Sequence, residues 1–254
     1  MREADTDFVP NHVLLIPRSL DPPIALSLCL SIPQSLHPLH PVRDTLEFFR
    51  QFRQRFETTG AVAPSSRFLA SAMTRHLRHR PNRPVRVLEV GPGTGAVTNH
   101  IVRLLRDGDR FDLVELNESF AGILNRRFSN DPAWQSVASQ SKVHVCPIQE
   151  FKPDGPYDFI ISGLPFNNFP CALVEDILGT CLTMLHPDGI LSMFEYMYVR
   201  PVRGFVGKRA ERERIRKIES IMQTAFQKHR VRRDWVFVNI PPAWVQHLKH
   251  PAAE

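Results

Sequence analysis

The sequence lacks the features that build disulfide frameworks, common zinc sites and membrane spans. Its four cysteines among 254 residues form no C-x-x-C pair, so we expect reduced thiols and no metal site. His144 and Cys146 alternate along an apparent strand, which favours ordinary sheet residues over a ligand pair. A superficially membrane-like stretch, residues 12–32, contains three prolines with Arg18 and Asp21 between them, and Pro33 follows it directly. It falls short of the roughly 20 apolar residues that a span needs, and its acidic start argues against a signal peptide.

The bulk composition allows one large soluble domain with a small appendage. Apolar residues make up 43% of the chain and charged residues 23%, which is typical of a globular protein with a sizeable core. The formal net charge is +6. This basic balance indicates an anionic partner, either nucleic acid or an acidic membrane surface, without choosing between them.

Three regions follow one another along the chain. Residues 1–41 are proline-rich and predict a weakly ordered extension, residues 42–80 carry two helical patterns, and residues 81–254 form the main domain. In the main domain apolar strands alternate with helices. The predicted strands are Val85–Val90, Phe111–Glu115, Lys142–Cys146, Asp158–Ser162, Ile190–Phe194, Trp235–Ile240 and Trp244–Leu248, and the predicted helices are Val97–Arg106, Ser119–Phe128, Ala172–Leu185 and about Lys208–Arg230. This alternation predicts a doubly wound, mostly parallel α/β sheet that ends in an antiparallel hairpin.

A glycine-rich turn directly follows the first strand, at Gly91-Pro-Gly-Thr-Gly95. Glycines allow a sharp turn from strand to helix and a close approach of the backbone to a ligand. Glu89 at the end of the strand would repel phosphates but can pair with the cationic amino-acid part of S-adenosylmethionine. Glu115 ends the second strand twenty residues after Gly95, the spacing at which an acid accepts ribose hydroxyls. The alternative is a plain strand-to-helix turn with two surface acids.

Further candidates for the cofactor site flank this turn. After the third strand, Gln149 or Glu150 could contact adenine, or the segment could be a plain loop. The predicted S-adenosylmethionine site comprises Glu89, Gly91, Gly93, Gly95, Glu115, Leu116, Gln149, Ser65 and Ser66.

The fourth strand ends in Ser162-Gly-Leu-Pro-Phe166. This stretch resembles the fourth motif of amino-group methyltransferases, which reads Asn-Leu-Pro-Tyr in the ribosomal RNA adenine dimethyltransferases. Gly163 occupies the Asn position. Glycine has no side chain with which to hold a base amine, so the departure argues against a base methyltransferase.

Four segments together resemble the bacterial phospholipid N-methyltransferases. They are Gly60–Ser66, Ser162–Pro170, Phe194–Tyr196 and Asn239–Trp244, and the resemblance runs from Leu46 to the C-terminus. It implies the class I methyltransferase variant of the Rossmann-like fold and stepwise methylation of a lipid headgroup amine, in phosphatidylethanolamine or an ornithine lipid. The chain has Glu195 where a Thr is expected before the Tyr, and a basic segment Arg200–Arg209 follows, so the identity of the lipid stays open.

The reaction requires a free amine, whereas such an amine is protonated near neutral pH, with a pKa of about 10. We expect Tyr196 and Glu195 to orient and deprotonate it, with the backbone carbonyls of Ser162 and Gly163 as acceptors. Tyr196 could instead be structural. His186 falls at the opposite end of the sheet and is not a candidate.

An aromatic helix precedes the main domain and suggests a membrane partner. Its residues in one arc are Leu46, Phe48, Phe49, Phe52 and Phe56, with Arg43, Arg50, Arg53 and Arg55 within or beside that arc. Rings flanked by cations suit an interfacial helix, although the same face could cap the cofactor cleft. Arg200–Arg209 is a second basic stretch or a solvated loop.

The expected location is therefore the cytoplasm, at the inner face of the cell membrane. A nucleic-acid partner is disfavoured and the oligomeric state is open. The alternative functions are an rRNA adenine N6-methyltransferase-like enzyme and a non-catalytic module that keeps the cofactor fold.

Overall fold

The computed structural model describes residues 66–197 and 209–250, which build a seven-stranded sheet with helices on both faces. The strands are β1 Arg86–Val90, β2 Arg110–Val114, β3 Ser141–His144, β4 Tyr157–Ser162, β5 Leu185–Tyr196, β6 Arg230–Val236 and β7 Ala243–Lys249. The helices are α1 Arg67–Met73, α2 Arg75–Arg78, α3 Thr98–Ile101, α4 Glu118–Asn130, α5 Pro132–Gln135, α6 Cys171–Thr183 and α7 Arg209–His229, with 3₁₀ turns at Ala138–Gln140 and Phe166–Asn168. The strand order is β3-β2-β1-β4-β5-β7-β6.

The pairing directions bring the ends of several strands to one edge of the sheet. Strands β1 to β5 pair in parallel, whereas β7 is antiparallel to both β5 and β6. The carboxyl ends of β1–β5, the end of β6 and the start of β7 therefore share one edge, which we call the carboxyl edge. Ligands of open parallel sheets bind at this edge, so the pairing alone locates the region of interest.

Side chains alternate between two buried layers because successive strand residues point to opposite faces of the sheet. The first face carries Val87, Leu113 and Phe194 and is covered by α1–α5, including the fully buried Trp134. The second face carries Leu88 and Met193 and is covered mainly by α6 and α7. Helix α7 packs through one apolar stripe, in which Ile215, Ile218, Met222 and Phe226 are buried.

The predicted fold class and strand set are confirmed, and three elements have wrong boundaries. The strand predicted over Ile190–Phe194 runs from Leu185 to Tyr196, because its pairing with β4 starts at Leu185 opposite Tyr157. The helix predicted over Val97–Arg106 is only the single turn α3, because the chain tightens to i→i−3 hydrogen bonds on both sides of it. The strand predicted over Trp235–Ile240 runs from Arg230 to Val236 instead. Pairing with β7 starts at Arg230, and the residues after Val236 form the turn ahead of Pro241-Pro242.

Several predictions fall on residues outside the described ranges. They concern the extension 1–41, the aromatic helix with its phenylalanines and arginines, Ser65, and most of Arg200–Arg209. Within 66–197 and 209–250, no helix combines the length and apolar character needed to cross a bilayer. In the same ranges, His, Cys, Asp and Glu side chains form no group of three or more that could hold a metal ion.

Candidate functional site

The glycine turn after β1 adopts the backbone that its sequence requires. Gly91, Gly93 and Gly95 have φ values of 69°, 58° and 88°, a region that side-chain-bearing residues rarely occupy. A Cβ on Gly91 would lie 2.4 Å from Leu164 Cδ2, and one on Gly95 would lie 2.7 Å from the Trp134 ring. A Cβ on Gly93 would meet no atom within 4 Å. The turn is therefore packed on two sides and open at Gly93.

Glu89 lies beneath this turn on the first face of the sheet. Its carboxyl is buried and accepts a hydrogen bond from Thr98 Oγ1 at 2.7 Å. Burial, with a smaller contribution from the nearby negative charge of Glu115, raises the pKa of Glu89 from 4.5 to about 8. Near neutral pH the group is therefore mostly protonated, and a cation arriving beside it would favour its ionised form.

Glu115 directly follows β2 and faces the glycine turn. Its Oε2 accepts the backbone N–H of Gly93 at 2.9 Å, and its Oε1 accepts that of Asn117 at 2.9 Å. Burial raises its pKa above the ordinary value, while these N–H groups oppose the shift. Each carboxylate oxygen has a second lone pair, so the group can still accept hydroxyl donors.

The other predicted cofactor residues are distributed around this centre. Leu116 is half-buried directly after Glu115, and Gln149 is half-buried in the turn that follows β3 at the carboxyl edge. The Ser66 hydroxyl caps α1 by accepting the N–H of Leu69 at 3.2 Å. The Ser66 N–H donates to Asn239 Oδ1 at 3.2 Å, so the described geometry gives Ser66 a local structural role.

A cavity of about 300 Å³ opens beside the last residues of the glycine turn. Thr94, Gly95 and Ala96 form one wall, and Arg67 and Arg127 line it from α1 and α4. The Arg127 guanidinium lies 4.1 Å from the centre of the Trp134 ring and contacts Asp131 at 3.2 Å. This side of the turn therefore presents positive charge.

Gly163, at the end of β4, touches the glycine turn through its backbone. Its N–H donates to the carbonyl of Val90 at 2.9 Å, and a Cβ at this position would lie 2.6 Å from the carbonyl oxygen of Gly91. The sequence analysis related the absent side chain to the substrate, because glycine cannot hold a base amine. The structure gives another physical reason, which is close backbone packing between two loops.

The loop after β4 is fixed from below by α7. Arg214 donates to the carbonyl oxygens of Phe169 at 2.8 Å and Asn167 at 3.3 Å. Phe166 and Phe169 are buried in the second face. These contacts fix the chain beyond Gly163 against the sheet.

The two side chains predicted for catalysis lie on opposite faces of β5. Tyr196 packs beside Phe194 on the first face, with ring centroids 5.1 Å apart. Glu195 lies on the second face together with Met193, and there Gln246 Nε2 donates a hydrogen bond to its Oε1 at 2.6 Å. Ser162 follows Ile160 by two residues and therefore lies on that same second face. Glu195 and Ser162 can therefore share one side of the sheet, whereas Tyr196 approaches the edge from the other.

No family model matches the chain. The ornithine lipid N-methyltransferase of Singulisphaera acidiphila is 27% identical over 156 residues, which is 61% of this chain and 80% of that protein.

Among solved structures, the O-methyltransferase of Bacillus cereus in complex with SAH superposes with a TM-score of 0.56 at 15% identity, over 84% of this chain and 93% of that one. TrmN from Thermus thermophilus superposes with a TM-score of 0.50 at 18% identity, over 72% of this chain. The match spans only 48% of TrmN. The fold is that of class I methyltransferases.

Four residues in and around the site escaped the sequence interpretation. Thr98 binds Glu89, Gln246 binds Glu195, Asn239 binds Ser66, and Arg214 binds the β4 loop. Thr98 could have been found, because it is the only hydroxyl residue in the predicted first turn of the helix after the glycines. The other three contacts depend on long-range pairing that the sequence does not display.

A serine–histidine–aspartate arrangement elsewhere in the sheet has the spacing of a hydrolytic triad, but a substrate has no access to it. Ser192 Oγ lies 2.9 Å from His247 Nδ1, and His247 Nε2 lies 3.4 Å from Asp234. All three are buried, and burial lowers the pKa of His247 to about 4. Asp234 is also paired with Arg75 at 2.5 Å, so the cluster joins α2 to the sheet.

Proposed function

We propose that the chain is an S-adenosylmethionine-dependent methyltransferase that acts on the amine of a membrane lipid headgroup. The observation that carries the cofactor assignment is the convergence of Glu89 and Glu115 from adjacent strands on one open glycine turn. The fold and the ornithine lipid N-methyltransferase relative support methyl transfer as the activity. The lipid substrate is the finer part of the proposal and rests on that relative and on the four segments that resemble lipid enzymes.

The residues of the turn fit this cofactor. Open space at Gly93 gives a ligand access to the backbone, and Glu115 has remaining lone pairs for ribose hydroxyls. Glu89 would ionise more readily beside the cationic methionine portion, because the nearby positive charge offsets the cost of its burial. When bound, S-adenosylmethionine supplies an electrophilic methyl group on its sulfonium.

The substrate amine would enter between the β4 loop and the end of β5. Here Glu195 is the acceptor that the geometry favours, since it shares the second face with Ser162. The side-chain carbonyl of Gln246 is buried beside it without a hydrogen-bond donor among the described residues. A carboxylate and an amide oxygen can together orient an ammonium group and remove its proton, and much of the rate then comes from positioning.

An RNA base is the disfavoured alternative substrate. Within the observed backbone, the side chain of an Asn at position 163 would overlap the carbonyl of Gly91. The position that holds a base amine in the RNA adenine enzymes is thus closed to such a side chain here. Peripheral association with the inner face of the membrane is part of the lipid proposal, and the aromatic helix of Phe48, Phe49, Phe52 and Phe56 stays a prediction.

The proposal is tested by expressing the chain in a bacterium that lacks methylated lipids and analysing its lipids by mass spectrometry. We expect aminolipid species heavier by one or more methyl groups, and the headgroup fragment identifies phosphatidylethanolamine or ornithine lipid. The matched control is Glu115→Ala, which should leave the lipids unmodified at equal expression. Unmodified lipids with the wild-type chain, although it binds S-adenosylmethionine in vitro, would contradict the lipid substrate and leave the cofactor assignment standing.

A further inference from the structure

The tip of the β6–β7 hairpin exposes four large apolar side chains. Trp235, Phe237, Val238 and Ile240 are exposed to 53%, 64%, 67% and 87%. We call these four residues the hairpin tip. A soluble protein rarely presents so many neighbouring apolar groups unless they meet a partner.

Ring packing and a buried hydrogen bond hold the hairpin tip in a defined conformation. Trp235 stacks on Phe237 with ring centroids 5.7 Å apart and meets Trp244 edge-on at 5.6 Å. On the inner side, Asn239 is buried and its amide donates to the carbonyl of Pro241 at 2.7 Å. Polar groups therefore point inward, and the apolar groups are left on the outside.

Positive charge surrounds the hairpin tip. Arg233 lies over both the Trp235 and Trp244 rings, at 5.0 and 5.5 Å, and the preceding Arg232 is also exposed. The acid of β6, Asp234, is buried and paired with Arg75 and Arg232, so it contributes little to the surface. Exposed Arg67 and Phe68 of α1 follow Ser66, which is hydrogen-bonded to the hairpin.

The hairpin tip stands at the carboxyl edge, where methyl transfer is proposed to occur. Ala243 pairs with Tyr196 at the end of β5, and the N–H of Met197 donates to the carbonyl of Pro242 at 2.8 Å. Strands β5 and β7 separate β4 from β6 in the sheet order, which corresponds to roughly 15 Å at the usual strand spacing. A planar surface in contact with the hairpin tip would thus lie near the opening of the site.

We propose that the hairpin tip docks the protein on an anionic lipid membrane, with its apolar side chains entering the headgroup boundary and the surrounding arginines meeting lipid phosphates. The combination of a projecting tip, aromatic rings and adjoining arginines matches the chemistry of such a surface. The inference deepens the proposed function, because a lipid substrate would bring a membrane to this edge. Docking can nevertheless be measured without any methyl transfer.

The test compares two surface variants of the full chain in sedimentation with vesicles of phosphatidylcholine containing about a third phosphatidylglycerol. Phe237→Ser with Ile240→Ser should lower the vesicle partition coefficient by about ten-fold or more. The matched control is Val231→Ser, which removes a side chain that is 53% exposed on the same strand but at its opposite end. This control should bind vesicles like the wild type, and the thermal midpoints of all three proteins should agree.

Three results would overturn the inference. The first is unchanged vesicle binding by the double variant. The second is loss of binding in Phe49→Ser with Phe52→Ser but not in the hairpin variant, which would assign docking to the preceding segment. The third is a changed oligomeric state in the hairpin variant with unchanged vesicle binding, which would assign the surface to a second copy of the chain.

Methylation of a detergent-dispersed aminolipid separates this inference from the proposed function. The hairpin variant should retain that activity, because the hairpin tip contacts the bilayer and not the reacting atoms. If the wild type binds vesicles through the hairpin tip yet methylates no lipid, docking stands and the proposed substrate fails. If it methylates lipid and the hairpin variant still binds vesicles normally, the substrate stands and docking fails.

Discussion

The two halves of the carboxyl edge hold their acids in different ways. In the half formed by β1 and β2, Glu89 and Glu115 are held by contacts to residues at most 22 positions away, Thr98, Gly93 and Asn117. In the half formed by β4 and β5, Glu195 is held by Gln246, which is 51 residues away. The geometry of the first half is therefore determined by the β1–β2 segment itself. The second depends on the register of the whole sheet, and variation there can change the substrate without disturbing the cofactor.

The strongest test of this comparison concerns the substrate half. Glu195→Gln should lower kcat by about 100-fold or more while cofactor affinity changes little, because the amine loses the group that takes its proton. Tyr196→Phe, on the opposite face of the same strand, should lower kcat much less. Steady-state kinetics at saturating cofactor would measure both, and a larger effect of the Tyr196 change would assign the catalytic role to the first face.

The corresponding test in the cofactor half is Glu115→Ala. Affinity for S-adenosylmethionine should fall by between about 10- and 100-fold, because charge-assisted hydrogen bonds to the ribose are lost together with support for Gly93. Calorimetry measures this directly. Glu118→Ala, which removes an exposed acid at the start of α4, is the control and should bind normally. Equal affinities for the two variants would refute the ribose assignment.

The contact between the two halves can be tested at Gly163. Gly163→Ala places a methyl group against the Gly91 carbonyl, and displacing either loop should slow single-turnover methyl transfer by about 10-fold. Gly179→Ala is the matched control, since a Cβ there meets nothing within 4 Å in α6. That substitution should leave the rate unchanged and stabilise the helix by about 0.5–1 kcal/mol. A normal rate in Gly163→Ala would mean that the two loops yield freely.

The last test concerns the pH dependence of stability contributed by Glu89. Its pKa is raised in the folded protein from 4.5 to about 8, so folding favours its protonated form. The stability linked to this proton is fully present below pH 4.5 and is lost as the pH rises from there through about 8. Glu89→Gln keeps an acceptor for Thr98 and should remove this slope. Thermal unfolding across this window, compared between the two proteins, measures the difference, and parallel curves would show that Glu89 does not titrate there.

The local character of the first half explains why sequence interpretation worked best there. A strand, three glycines and two acids at fixed spacing define the arrangement, and the structure brings Gly93 and Glu115 to 2.9 Å. The protonated state of Glu89 was missed, because burial is a property of the folded layers. Helix α3 was overestimated, since the apolar spacing of residues 97–106 suits a packed turn as well as a helix.

The second half shows what a single sequence cannot supply. Glu195 and Tyr196 were assigned a common task at the end of the fifth strand, yet strand alternation places them on opposite faces of the sheet. Gln246 becomes a partner of Glu195 only through the antiparallel register of β5 and β7. Gly163 was singled out from the sequence as a site residue, which stays a prediction, and the reason for its missing side chain required knowing that the Gly91 carbonyl lies against it.

The backbone contact between Gly163 and Gly91 has a consequence for substrate choice. Since the two loops support each other, the glycine turn after β1 and the loop after β4 behave as a single rigid unit. At the contact between Gly163 and Gly91 this unit has no side chain with which to distinguish one amine from another. Under the proposed function, discrimination among amines would come from the side chains beside this backbone, and a change of substrate should require new residues at the end of β5.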